Sequence, residues 1–127
     1  MEFFAKADNH GVDATTLYER LTIEALPEYT PSIDNVLSMN SESRGEIYSN
    51  WGQFDITREK IRNGVRFALL NCPHAFVWTI TVHPQQDVLI VHCTIDKEDE
   101  EPEFVESIEQ FVAEWADSLA TRLVSTG

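Results

Sequence analysis

The feature that most limits how this chain can fold lies near its C-terminal end. Phe104, Ile108, Phe111, Val112, Trp115, Leu119 and Leu123 recur at steps of three and four. On a 3.6-residue helix that spacing makes one continuous apolar stripe. It predicts a helix over residues 102–124, on the order of 34 Å long at ~1.5 Å per residue. Such a stripe has to be buried, and the strongly apolar segments just before it are the obvious surface. Pro102 suits the first helical turn. The acidic run from Asp96 to Glu101 suits the positive end of the helix dipole, with Arg122 at the opposite end. Glu103, Glu106, Glu109, Glu114 and Asp117 are assigned to the exposed flank.

The preceding segments alternate as strands do. In residues 75–82, Phe76, Trp78, Ile80 and Val82 line one face, and Val77, Thr79 and Thr81 the other. In residues 87–95, Leu89, Val91, Cys93 and Ile95 oppose Val88, Ile90, His92 and Thr94. Cys72-Pro73-His74 and His83-Pro84 make turns. Residues 46–50 and 53–61 are further strand candidates, separated by Trp51-Gly52.

Residues 57–70 fit either a helix or a hairpin. Asn63-Gly64 decides for the hairpin, because an interior Gly costs a helix about 1 kcal/mol and Asn-Gly favours tight turns. A three-residue loop at 62–64, with Gly64 left-handed, pairs Ile61 with Val65. It places Arg58, Lys60 and Arg66 together on the outer face, and a one-residue slip would exchange the faces.

Earlier in the chain, residues 13–26 read as a helix capped by Asp13, with Pro27 as its stop. Residues 27–45 read as a connection, with a short helical piece around Ile33, Val36 and Leu37. Residues 1–12 dock on the domain, extend a sheet edge or move freely. The expected fold is α+β: one domain over residues 1–127. It has an antiparallel meander of four or five strands, an N-terminal helix and a long C-terminal helix packed on one face.

The net charge of -13, from 22 acidic and 9 basic residues, argues against nucleic acid or anionic lipid as a partner. No apolar run reaches the ~20 residues of a membrane span, and the start lacks a signal-peptide pattern. The expectation is a cytoplasmic protein with its two cysteines, Cys72 and Cys93, as thiols.

No catalytic or nucleotide-binding motif is present, and the expectation is no enzyme, no cofactor and no metal. His10, His74, His83 and His92 with the two cysteines lack zinc-site spacing. Asp96, Glu98, Asp99 and Glu101 lack EF-hand spacing. Adjacent strand residues such as His92 and Cys93 point to opposite faces and do not readily share an ion.

Two groups remain as candidates. Arg58, Lys60, Arg62 and Arg66 concentrate cations within nine positions. They form either a solvated hairpin face or a patch that docks an acidic surface, including a second copy of the chain. Trp78, Phe104, Phe111 and Trp115, with Trp51 and Phe76, form either a core or the lining of an apolar-ligand cavity between sheet and helix. The leading expectation is a non-catalytic protein-binding module: an adaptor, dedicated chaperone or inhibitor, with homodimerisation open. The alternative is a binder of small apolar ligands.

Overall fold

A computed structural model describes residues 1–96 and 101–123. The middle of the acidic link, including Glu98 and Asp99, and the predicted helix end at Val124 lie outside the described residues. The chain runs β1 (Glu2–Asp8), α1 (Ala14–Arg20), α2 (Leu26–Tyr29), β2 (Ile33–Ser41), β3 (Arg44–Ser49) and β4 (Gly52–Ile61). It continues through β5 (Gly64–Leu69), β6 (Val77–Val82) and β7 (Val88–Thr94) to α3 (Pro102–Arg122). The strands form a seven-stranded sheet in the order β1-β7-β6-β5-β4-β3-β2, antiparallel throughout. The α+β class and the C-terminal helix stand as expected, but the sheet is larger than the four or five strands expected.

The long stripe is buried as its periodicity predicts. Ile108, Phe111, Val112, Trp115, Leu119 and Leu123 are in the core, and Phe104 is half-buried. Helix α3 packs on β1 and β7, α1 on β5 and β6, and α2 bridges β2 and α3. Trp115 stacks on Tyr29 at 5.5 Å and on Phe67 at 6.4 Å between ring centres. Phe111 meets Trp78 edge-on at 5.0 Å and Phe76 at 5.4 Å. Aromatic rings therefore fill the layer between sheet and helix, with edge-to-face contacts that add to their area burial.

Polar anchors fix how α3 sits. The hydroxyls of Thr30 and Ser32, both buried, donate to Glu114 Oε1 at 3.0 and 2.9 Å. Trp51 Nε1 donates to Ser107 Oγ at 2.9 Å. Glu114 thus leaves the exposed flank assigned to it, because its carboxylate supplies the acceptor that both buried hydroxyl protons need.

The N-terminal third departs most from expectation. Asp13 caps α1, accepting from the Thr16 N–H at 2.8 Å, and that bond holds its carboxyl below the usual range. The helix nevertheless ends at Arg20, and Pro27 sits in the first turn of α2 rather than stopping α1. A missing N–H costs nothing in a first turn. The break lets Leu21, Ile23 and Leu26 all enter the core.

The helical piece expected around Ile33 is instead edge strand β2. Its pairing with β3 slips three times, so Ile33, Val36 and Met39 oppose Ser49, Ile47 and Gly45. Steps of three on one strand thus match steps of two on its partner. The bulges give a strand the inward spacing of a helix.

Residues 1–8 take the sheet-edge option, with β1 paired to β7 from Glu2↔Thr94 to Asp8↔Val88 without a slip. The hairpin at 57–70 is present, but its register pairs Ile61 with Gly64 and Lys60 with Val65. Gly64 is not left-handed. It belongs to the ladder opposite Thr81, where a Cβ would fall 2.0 Å from the Ile80 carbonyl oxygen.

Candidate functional site

That register takes the cationic group apart. Counting inward from Gly64, Arg58 lies opposite Phe67 and faces the core, and it is only 4 % exposed. Its Nε donates to the Leu21 carbonyl at 2.8 Å, and its Nη2 donates to the Tyr18 carbonyl. The guanidinium also lies 3.8 Å from the Tyr18 ring centre. A cation at the C-terminal end of α1 meets free carbonyls and the negative end of the helix dipole. The residue therefore completes a helix terminus and is not available to a partner.

Lys60 stands at the rim of the same face, 5.8 Å from the Tyr18 ring. Arg62 is exposed at the turn. Arg66 is on the opposite face, paired with Glu59 at 2.7 Å. The four cations do not form one patch.

Arg58→Met should lower stability by about 2 kcal/mol, the worth of charge-assisted bonds to the two carbonyls. Arg66→Met, which breaks a solvent-exposed pair, should change it by less than about 1 kcal/mol. Urea denaturation of the two variants separates the roles.

The aromatic candidates do come together. Trp78, Phe111 and Trp115 are fully buried around the α3–sheet layer. Phe104 lies at its margin, stacked on His74 with 4.3 Å between ring centres. The rings touch one another, and the indole N–H groups of Trp78 and Trp115 have no protein acceptor. Buried donors of that kind are uncommon.

The remaining chemistry-bearing residues are dispersed. His92 is on the outer face, where its Nε2 lies 2.9 Å from Glu2 Oε1 and its ring stacks on Phe4 at 4.3 Å. Cys93, next in sequence, faces the core, and burial pushes its thiol up to about 12. Among the described residues, no three His, Cys, Asp or Glu side chains gather to hold a metal ion.

A raised thiol pKa favours folding fully below the ordinary value of 9.0, and the advantage fades as pH climbs toward 12. At pH 8 Cys93 should resist iodoacetamide in the folded protein and react once urea unfolds it, as mass spectrometry of the alkylated chain would read.

Two surface hollows flank this core. One, of about 270 Å³, lies beside Arg58 and includes Tyr18, Glu19, Glu24, Met39 and Glu42. The other, of about 350 Å³, runs between β1 and α3 and is lined by Glu2, Phe3, Phe4, Ala5, Glu109, Val112 and Ala113. Sequence reasoning did not single out this second site. Its one signal was the Phe3-Phe4-Ala5 run, which allowed a sheet edge.

The fold has solved counterparts. The chain is similar to the protein XoxI from Bacillus cereus, with a TM-score of 0.66 and 12 % identity over 98 % of this chain and 96 % of that one. It is also similar to a putative uncharacterized protein from Bacillus thuringiensis, with a TM-score of 0.60 and 12 % identity over 93 % and 98 %. At that identity the likeness is one of fold. No family model and no curated protein matches the chain. Among the described residues, no helix is long and apolar enough to cross a membrane.

Proposed function

We propose that this domain is a non-catalytic protein-binding module. The observation that supports it is where large apolar side chains remain outside. Phe4 on β1, Leu37 on β2 and Tyr48 on β3 are exposed, on the two edge strands or beside one, while Met39 opens toward α1 and Leu70 follows β5. Phe4 and Tyr48 lie on the face away from the helices, and no helix among the described residues packs over it. Exposed apolar groups at open sheet edges suit recognition of another chain. The cationic hairpin contributes Lys60, Arg62 and Arg66 at most, with Arg58 committed to the core.

The test is affinity capture from native lysate with the intact protein and with a Phe4→Ser, Leu37→Ser, Tyr48→Ser variant. One partner retained by the first and lost by the second, with both equally folded, supports the reading. Equal capture, or none, removes it. Sedimentation across a concentration series reads self-association in the same samples.

A second reading, a binder of small apolar ligands, is supported by the unpartnered Trp78 and Trp115 indoles beside Phe111, with Phe104 at the margin. An apolar molecule carrying one acceptor would suit them, provided the rings part. Dodecanol should then raise the melting temperature and shift both indole N–H resonances. Unmoved resonances would end this reading.

A further inference from the structure

The hollow between β1 and α3 has a property that the other lacks. Four consecutive residues of β1, Glu2 to Ala5, line it. Successive side chains point to opposite faces. What all four share is therefore the strand's open backbone edge.

The hydrogen bonds identify which groups face that edge. Ile95 N–H donates to the Met1 carbonyl, and Asn9 N–H donates to the Asp87 carbonyl. In an antiparallel ladder, alternate residues bond to the neighbouring strand. Met1, Phe3, Ala5, Ala7 and Asn9 thus turn toward β7. The N–H and C=O groups of Glu2, Phe4, Lys6 and Asp8 turn outward. The row is regular, whereas the other edge, β2, is broken by three register shifts. Bulges are a common protection of an edge, and β1 has none.

The wall opposite is α3. Val112 and Ala113 present a small apolar surface, and Glu109 stands on the rim. Glu2 supplies a second carboxylate, which also meets His92. With a net charge of -13 over the chain, the groove favours a cationic occupant over a second copy.

We infer that this groove binds an extended segment of a partner protein as an eighth strand beside β1. The segment carries apolar residues at alternate positions, directed at Val112 and Ala113. It carries lysine or arginine between them, on the outer face near Glu2. This rests on the reading of the domain as a protein-binding module and names the partner's chemistry. Backbone pairing supplies affinity in this mode, and alternate side chains supply selectivity.

The probe is a capped hexapeptide of alternating lysine and valine, followed by amide NMR of the full chain. Its binding should shift the Glu2, Phe4 and Lys6 amide signals and slow their exchange. The same peptide with glutamate in place of lysine should not bind. Phe4→Pro removes an outward N–H without removing a ladder bond. Ala113→Lys fills the groove and adds a repelling cation to it without touching the strand. Each variant should weaken the peptide at least tenfold.

Shifts spread over other acidic surfaces, or unchanged affinity in a folded Phe4→Pro or Ala113→Lys protein, would overturn the inference. So would protection of the β1 amides by concentration-dependent dimerisation without peptide, which would make a second copy the occupant. If lysate capture still returns one surface-dependent partner while these variants have no effect, the groove is lost and the binding-module reading stands.

Discussion

Trp115→Ala should cost about 3–5 kcal/mol, among the largest losses available to a single substitution in this chain. Trp115 is fully buried, and its ring stacks on Tyr29 from α2 and on Phe67 from β5. It therefore joins three elements that are distant in sequence. Removing it deletes the ring's transfer energy and leaves a cavity that aromatic neighbours cannot readily close. Because Trp115 Nε1 has no protein acceptor, no hydrogen bond is lost. Trp115→Phe should then recover most of the loss, since it restores ring packing without the donor. Chemical denaturation of both variants measures the difference. A near-normal midpoint for the alanine variant would show that the helix stripe is not what holds the domain together.

Gly64→Ala should be nearly as damaging for the opposite reason. An added methyl group has to occupy space 2.0 Å from the Ile80 carbonyl oxygen and 3.0 Å from the Thr81 Cα. Both are main-chain atoms in the centre of the sheet, so no flexible side chain can swing away. Overpacking usually costs about 1–3 kcal/mol, and a clash with backbone belongs at or above the top of that range. Gly45→Ala meets the Ser38 carbonyl at 2.8 Å and the end of the Met39 side chain at 3.0 Å, against the irregular edge strand. It should cost less. Thermal melts of the two glycine variants, compared side by side, test whether the β5–β6 contact is the tighter one. Equal melting temperatures would refute that ranking.

The same glycine separates what was readable from what was not. Asn63-Gly64 marked a hairpin, and a hairpin is there. The turn chemistry suggested a left-handed glycine, whereas the structure uses the missing Cβ for a close approach to β6. That approach involves a strand not yet written when the turn is read. It shifts the register, and the shift turns Arg58 from a surface cation into the cap of α1. The docking patch was lost with that turn. The aromatic cluster survived because Trp78, Phe111 and Trp115 belong to strongly periodic segments, whose faces do not depend on a neighbour's register.

By itself the amino-acid order determined the α3 stripe, the inward faces of β6 and β7, the Asp13 cap and the α+β class. Each rests on a strong local period or on a side chain bonding within a few residues, and here the tertiary packing agrees with it. Tertiary structure alone decided that β1 joins β7 across the whole chain, that bulges make β2 a strand with helix-like spacing, and that Arg58 points inward. These outcomes depend on which backbone lies alongside. An edge strand's pairing energy comes from a partner that, for β1, lies 80 to 92 residues away.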